Sequence, residues 1–250
     1  MKLKQILKRW APHPVIELYR ACVRLRDRIH SLGMTNAQIF SAIYAKKQWG
    51  DDGEYCSGSG TINGKITDRY VQEISPIIRV SKGRVVDIGC GDFRIGQRLF
   101  ANLQVNYVAC DVVPELIAHH HNNYKGIENL EFVTLDAARD ELPDGEIALV
   151  RQVLQHLNNR DIHKILKKLH KYKTVVITEH HPYICKAYNA DKFTGSRVRM
   201  ENGSGVYLDQ APFQVVGQLR LLFEVPGDAT DPRKSGWIRT FIWNPETKGV

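Results

Sequence analysis

Apolar positions along the chain follow two rhythms. Before residue 83 the spacing is helical. Leu3, Ile6, Leu7 and Trp10 fall at i, i+3, i+4 and i+7, which is one helix face. Ala11-Pro12-His13-Pro14 ends that helix. A second stripe follows in Val15, Leu18, Cys22, Leu25 and Ile29, with Arg20, Arg24 and Arg28 beside it. Residues 36–50 predict a third helix ending at Trp49-Gly50, and residues 66–80 a fourth. The stretch DDGEYCSGSGTINGK between them is too rich in Gly and Ser for a regular element and reads as a loop. From residue 83 short apolar runs alternate with helical segments. The pattern predicts strands at 84–88, 105–110, 130–135, 146–151 and 174–179, and helices near 94–103, 114–123 and 159–171. Strands separated by helices imply βαβ units and a parallel sheet. After residue 182 the alternation stops. A polar, Gly-rich stretch, a short helix near 211–218 and two strands, Leu219–Val225 and Trp237–Trp243, complete the pattern, with the turn PGDATDPRKSG between the last two. The expected fold is α/β: a doubly wound seven-stranded sheet of five parallel strands and a terminal antiparallel pair. Residues 1–75 form a helical extension and residues 76–250 the main domain.

Charge adds one asymmetry to this picture. The net charge is +8 over 250 residues. Residues 1–30 hold eight basic groups against Glu17 and Asp27, and the rest of the chain holds 27 basic against 25 acidic. A basic head on a nearly neutral body argues against a domain-wide nucleic-acid surface. The arginine row of the second helix is either the solvated face of a packed helix or a contact to a membrane surface or acidic partner. Five cysteines, at 22, 56, 90, 110 and 185, form no CxxC pair. Neither a zinc site nor a disulfide framework is indicated, and a reducing compartment is expected. Charges interrupt every apolar run short of a signal-peptide core or a membrane span. The expected location is the cytoplasm, or the inner membrane surface through residues 1–30.

The candidate chemistry starts at RVVDIGCGDFRIG, residues 84–96. A strand empties into Gly89 and Gly91, where the absence of Cβ lets a ligand lie against the peptide plane. The dinucleotide fingerprint GxGxxG does not fit, because four residues separate Gly91 from Gly96, and the Gly-Lys-Ser/Thr of a P-loop is missing. VVDIGCG resembles the first motif of class I S-adenosylmethionine (SAM) dependent methyltransferases. The resemblance covers roughly residues 83–180. It implies a Rossmann-like SAM-methyltransferase sheet whose glycine turn, with Asp87, Gly89, Cys90 and Gly91, receives the methionine and ribose portion of the cofactor. Asp111 ends the second strand, where a carboxylate can accept both ribose hydroxyls, with Val112 beside it. Asp136 and Ala137 end the third strand, at the position where the family receives the adenine amino group. LVRQVLQHL, with Gln152, resembles the family's fourth motif. Ahead of the sheet, Trp49-Gly50 through Ser59, Gly60 and Thr61 resembles a segment of bacterial methyltransferases associated with surface glycans. It is a candidate lid over the cofactor, and a flexible linker is the alternative.

An O-methyltransferase must take a proton from the attacking alcohol, and a histidine suits that task. His156, His180 and His181 lie near strand ends, with Glu179 placed to orient one of the last two. The run His119-His120-His121 reads as solvated surface. Glu179 and a neighbouring histidine do not amount to a metal site, so none is expected. The segment 182–215 follows the fifth strand, where the family shapes specificity. Tyr207, Asp209 and Phe213 there would suit a polar ring such as a sugar. The Asn/Asp-Pro-Pro-aromatic turn of nucleic-acid amine methyltransferases is absent after strand four. The expected function is SAM-dependent methylation of a hydroxyl on a sugar or glycan end. An RNA methyltransferase, a non-sugar small-molecule O- or N-methyltransferase, a SAM binder without catalysis and an NAD oxidoreductase are the alternatives.

Overall fold

The structure is a computed structural model that describes residues 15, 33–81, 83–103, 105–227 and 236–245. The two helices expected within residues 1–30 lie outside the described residues except for Val15, as does most of the turn 226–236. The chain divides into two compact units, Met1–Thr35 and Asn36–Val250. The second unit opens with helix α1 (Asn36–Ala45), a single turn α2 (Ser59–Ile62) and the long α3 (Gly64–Ser81). The boundary expected at 75/76 falls inside α3. The stretch expected to be loop contains α2 and the first residues of α3.

Alternation then runs as the apolar pattern predicts: β1 (Val85–Ile88), α4 (Arg94–Asn102), β2 (Tyr107–Asp111), α5 (Pro114–Asn123), β3 (Leu130–Thr134), β4 (Ile147–Arg151), α6 (Asn159–Leu169) and β5 (Thr174–Pro182). The chain closes with β6 (Gly217–Pro226) and β7 (Gly236–Pro245). The sheet order is β3-β2-β1-β4-β5-β7-β6. β1 through β5 pair in parallel, and β7 joins antiparallel to both β5 and β6. Every residue of β1 and β2 is buried, because helices cover both faces of a doubly wound sheet. On one face Val86, Ile88, Val108, Ala148 and Val150 meet Phe40 and Tyr44 of α1 and Ile162, Ile165 and Leu169 of α6. On the other, Val85, Tyr107, Ile147 and Leu149 meet Tyr70, Ile74 and Ile78 of α3 and Leu99 of α4. Each fully buried aliphatic side chain contributes roughly 1.5–3 kcal/mol, so the sheet centre is the rigid platform of the molecule.

The strand order reverses between β1 and β4, and an open α/β sheet binds ligands beyond the strand carboxyl ends at such a switch. The helix expected near 211–218 is absent. Turns, including a cis Ala211–Pro212 bond, lead directly into β6 at Gly217. No described helix is long and apolar enough to cross a membrane.

Candidate functional site

β1 ends in a turn that only glycine adopts without strain. Gly89 has φ +75° and Gly91 φ +55°, both in the left-handed region. Space is closed as well as conformation: a Cβ on Gly89 would overlap Val153, and one on Gly91 would overlap Ser57 Oγ. The turn is clamped from the next strand. Gly91 N–H donates to Asp111 Oδ2 at 3.0 Å, and Val113 N–H donates to Asp111 Oδ1 at 3.1 Å. Burial raises the pKa of Asp111, and these backbone donors oppose the shift. Asp87, one strand over, accepts the Tyr107 hydroxyl at 2.9 Å, and burial pushes its pKa up to about 7.

His120 corrects an expectation. It is 3% exposed, and its Nε2 lies 2.8 Å from Gly91 O. A carbonyl only accepts, so Nε2 carries the proton. The ring is wedged against Phe93 and Phe132. Of the three consecutive histidines, His121 is exposed, while His119 Nδ1 lies 3.3 Å from Glu54. His120 is therefore part of the floor of the site. Leu116, Ile117 and His120 are the buried residues of α5, so helical spacing alone placed it on the inner face.

The segment 49–61 lies on the glycine turn. Asp92, whose side chain is 3% exposed, accepts Ser57 N–H at 2.9 Å and the Thr61 hydroxyl at 2.7 Å. In return Asp92 N–H donates to Ser57 Oγ at 2.8 Å. Tyr44 OH and Ser57 Oγ lie 2.8 Å apart. From the other side, Arg151 Nη2 donates to Gly60 O at 2.7 Å, and its guanidinium stands 5.1 Å over the Tyr70 ring. A Cβ on Gly60 would overlap Gln152 Oε1. Trp49 closes the far end, packed 5.1 Å from Tyr44 and 5.0 Å from His156. The expected Trp49, Ser59, Gly60 and Thr61 thus share one segment on the strand ends. Tyr44, Ser57, Asp92 and Arg151 complete it; the sequence reading places Ser57 in the candidate lid stretch and Arg151 in the fourth motif, and gives Tyr44 and Asp92 no role.

The end of β3 is held differently. Asn36 Nδ2 of α1 donates to both oxygens of Asp136, at 3.3 and 3.2 Å. Ala138 N–H adds a bond to Asp136 Oδ1 at 3.0 Å. Ala137 and Val112 are partly buried beside these two strand ends.

At the end of β4, Gln152 has φ +56° and its N–H donates to Thr178 O at 2.7 Å. A 3-10 turn, Leu154–His156, follows. His156 Nδ1 donates to Gly195 O at 3.2 Å, which leaves the Nε2 lone pair, 3.4 Å from the Gln155 amide. Burial, then Lys192, pushes its pKa down to about 3, so the ring is neutral near pH 7 and is a weak base in this arrangement. Glu179 does not orient a histidine side chain. Its two oxygens accept Leu154 N–H at 2.9 Å and Gln155 N–H at 3.0 Å, so it caps the turn that carries His156. Burial outweighs those bonds and pushes its pKa up to about 8.

His181 is fully buried. Its Nε2 donates to Val206 O at 2.9 Å, and burial pushes its pKa down to about 4. Such a ring packs the interior and does not reach a substrate. His180 is also buried. Of the three residues proposed for substrate, Phe213 belongs to the core packed on α1 and α6, which corrects its placement in a substrate wall. Tyr207 is partly exposed, edge-on to His181 at 4.7 Å, and Asp209 is exposed. Cys90 is partly buried in the glycine turn, where burial raises its pKa. A cavity of about 430 Å³ lined by Arg84, Asn106, Tyr107, Asn129, Leu130 and Glu131 opens at the amino ends of β1 to β3, the wrong end of the sheet for this site.

The residues fit a nucleoside cofactor with an aliphatic tail. Two glycines exclude side chains at the turn, carboxylates stand at the ends of β2 and β3, and the 49–61 segment is tied to the turn through Asp92. Residues 85–173 match the sequence profile of a family described as "Methyltransferase domain". No curated protein matches the chain. Among solved structures, the N-methyltransferase NodS from Bradyrhizobium japonicum, bound to S-adenosyl-L-homocysteine (SAH), is similar with a TM-score of 0.56 at 14% identity, over 83% of this chain and 100% of that one. Human N-acetylserotonin methyltransferase in complex with SAM is similar with a TM-score of 0.51 at 11% identity, over 88% of this chain. This chain spans 62% of the human enzyme's length. At these identities the likeness is one of fold. The profile match and the fold coincide: residues 85–173, which match the methyltransferase-domain profile, run from β1 to just past α6 in a sheet with the Rossmann-like fold of those methyltransferase structures.

Proposed function

We propose that this chain is a SAM-dependent O-methyltransferase acting on a hydroxyl of a sugar or glycan end. The observation that carries the reading is the convergence on one slot of the Gly89–Gly91 turn, Asp111, Asp136 and the 49–61 segment. Gly89, Gly91 and Gln152 would border the methionine portion, Asp111 the ribose and Asp136 the adenine. The cofactor supplies an electrophilic methyl on a sulfonium. The protein's own work is to bind it, exclude water and relieve the acceptor of its proton.

His156 is the base this reading favours. It stands at the end of β4 against Trp49, with Nδ1 tied to Gly195 O and Nε2 as the lone-pair nitrogen. A neutral imidazole there offers a lone pair to the proton of an attacking hydroxyl. Glu179 positions it through the caps on Leu154 and Gln155. Tyr207 and Asp209 remain the residues proposed to meet the acceptor. The near-neutral body disfavours nucleic acid as substrate. Residues 1–30, with their excess of basic groups, are the segment proposed to contact an anionic membrane surface or a glycan-assembly partner.

The test is calorimetry with SAH, followed by a product assay for SAH release against activated sugars, lipid-linked glycans, small aromatic alcohols and RNA. Micromolar SAH binding and turnover on a sugar hydroxyl are expected. Absence of binding heat overturns the cofactor assignment, and turnover confined to RNA or to amines overturns the acceptor.

A further inference from the structure

Just beyond β5 the surface is unusually apolar. Tyr183, Ile184, Tyr188 and Phe193 are 55, 79, 59 and 58% exposed. Single exposed apolar side chains need no explanation, but a group does. The backbone beneath them is pinned. Asn189, 3% exposed, donates from Nδ2 to the carbonyls of Tyr207, Gln210 and Ala211 and accepts Tyr207 N–H at Oδ1. Arg199, 1% exposed, donates to the carbonyls of Ala190 and Leu157. Buried polar side chains therefore hold this segment while its apolar side chains face outward. The rings are supported from below: Tyr188 stands edge-on to Tyr207 at 4.9 Å, and Tyr183 edge-on to Trp237 at 5.7 Å.

Position and charge narrow the occupant. The segment adjoins the proposed base, because Lys192 Nζ donates to His156 O at 3.0 Å and Gly195 N–H donates to it at 2.9 Å. Residues 183–209 hold Lys186, Lys192, Arg197 and the buried Arg199 against Asp191, Glu201 and Asp209, and Lys192 is committed to the carbonyls of His156 and Phe193. A bilayer-binding surface calls for a dense cluster of cations, whereas the described residues of this segment mix basic with acidic side chains at a net of about one positive charge. A sugar ring instead offers a flat C–H face to an aromatic ring and hydroxyls to an acceptor such as Asp209.

We propose that Tyr183, Tyr188 and Phe193 form a stacking platform for a neutral glycan chain, binding the rings that flank the one placed at His156. This rests on the methyl-transfer reading and adds a subsite outside the reaction centre. The test uses the full chain on an array of immobilised neutral and acidic oligosaccharides of one to six rings, with the variant Y183A/Y188A/F193A alongside. Expected is retention of neutral oligosaccharides of three or more rings, reduced at least tenfold in the variant, with Tm and SAH affinity unchanged in both. No retention of any neutral oligosaccharide, or equal retention by the variant, overturns the platform. Sedimentation with phosphatidylglycerol vesicles that the variant abolishes reassigns the patch to a lipid surface, and a dimer that the variant abolishes reassigns it to a second copy. Failure of the methyl-transfer reading shows separately, as wild-type protein that gives no heat with SAH.

Discussion

His120 Nε2 lies 2.8 Å from the carbonyl oxygen of Gly91, whose own N–H is bound by Asp111 at 3.0 Å. Both polar atoms of one peptide residue are thus fixed at the point where the proposed cofactor would lie against the backbone. His120→Phe keeps a ring among Phe93 and Phe132 and removes the donor. A buried hydrogen bond of this type is worth about 1 kcal/mol net. The expected result is roughly fivefold weaker SAH binding by calorimetry, with Tm within a few degrees of wild type. Unchanged affinity would show that the clamp is not felt by the ligand.

Gly60 and Gln152 occupy the same volume in the sense that a Cβ on one meets Oε1 of the other. Gly60→Ala is expected to loosen the lid, seen as faster protease cleavage within 50–61 and SAH affinity down about tenfold. Gln152→Ala in the same chain removes the obstruction. A double-mutant cycle should give a coupling of about 1 kcal/mol or more, and strict additivity would sink the steric account.

The two histidine candidates predict opposite phenotypes. His156→Ala should lower turnover by about 10²–10⁴, the usual range for a general base, and leave SAH affinity within about threefold. His181→Ala should instead cost about 2–4 kcal/mol of stability as a cavity variant, with turnover of the folded fraction retained. Because burial drives the His156 pKa down to about 3, the wild-type pH–rate profile should show no acid limb near 6.5. A break at that value, absent in His156→Ala, would mean that substrate binding restores an ordinary imidazole.

Glu179 sets a pH dependence of stability. Its folded pKa, about 8, lies above the ordinary carboxyl value of 4.5. The unfolded chain therefore releases this proton first as pH rises. The contribution is fully present below about pH 4.5 and is lost as pH climbs through 8. In Glu179→Gln that loss disappears. Denaturant unfolding at pH 5 and pH 8 should show the wild-type advantage over the variant shrinking by more than about 1 kcal/mol at the higher pH. An equal advantage at both values would place the carboxyl in its ionised form throughout.

The parallel sheet was legible because strands buried on both faces read as short apolar runs, as in Val85-Val86 and Ile147–Val150. The glycine turn and the carboxylates at 111 and 136 were legible for the same reason: they mark strand ends. Three features were not. Val215 and Val216 follow Phe213 at a spacing that also suits a helix, yet Phe213 enters the core and Val216 O accepts the Trp243 indole N–H. β5 runs nine residues to Pro182 because β7 pairs along its whole outer edge, so Glu179, His180 and His181 are interior residues rather than loop residues. No local signal announces a partner strand more than fifty residues away. The ties from Asp92 and Arg151 to the 49–61 segment join parts of the chain distant in sequence, and spacing carries no trace of them.

Asn189 and Arg199 hold the backbone of their segment with side chains turned inward, while the side chains of residues 183, 184, 188 and 193 are largely exposed. On the proposed platform, substitutions at those positions would be felt by the acceptor more than by the sheet. A lineage carrying this scaffold can exchange one acceptor for another by altering a handful of outward-facing rings, while the machinery that handles the methyl donor stays as it is.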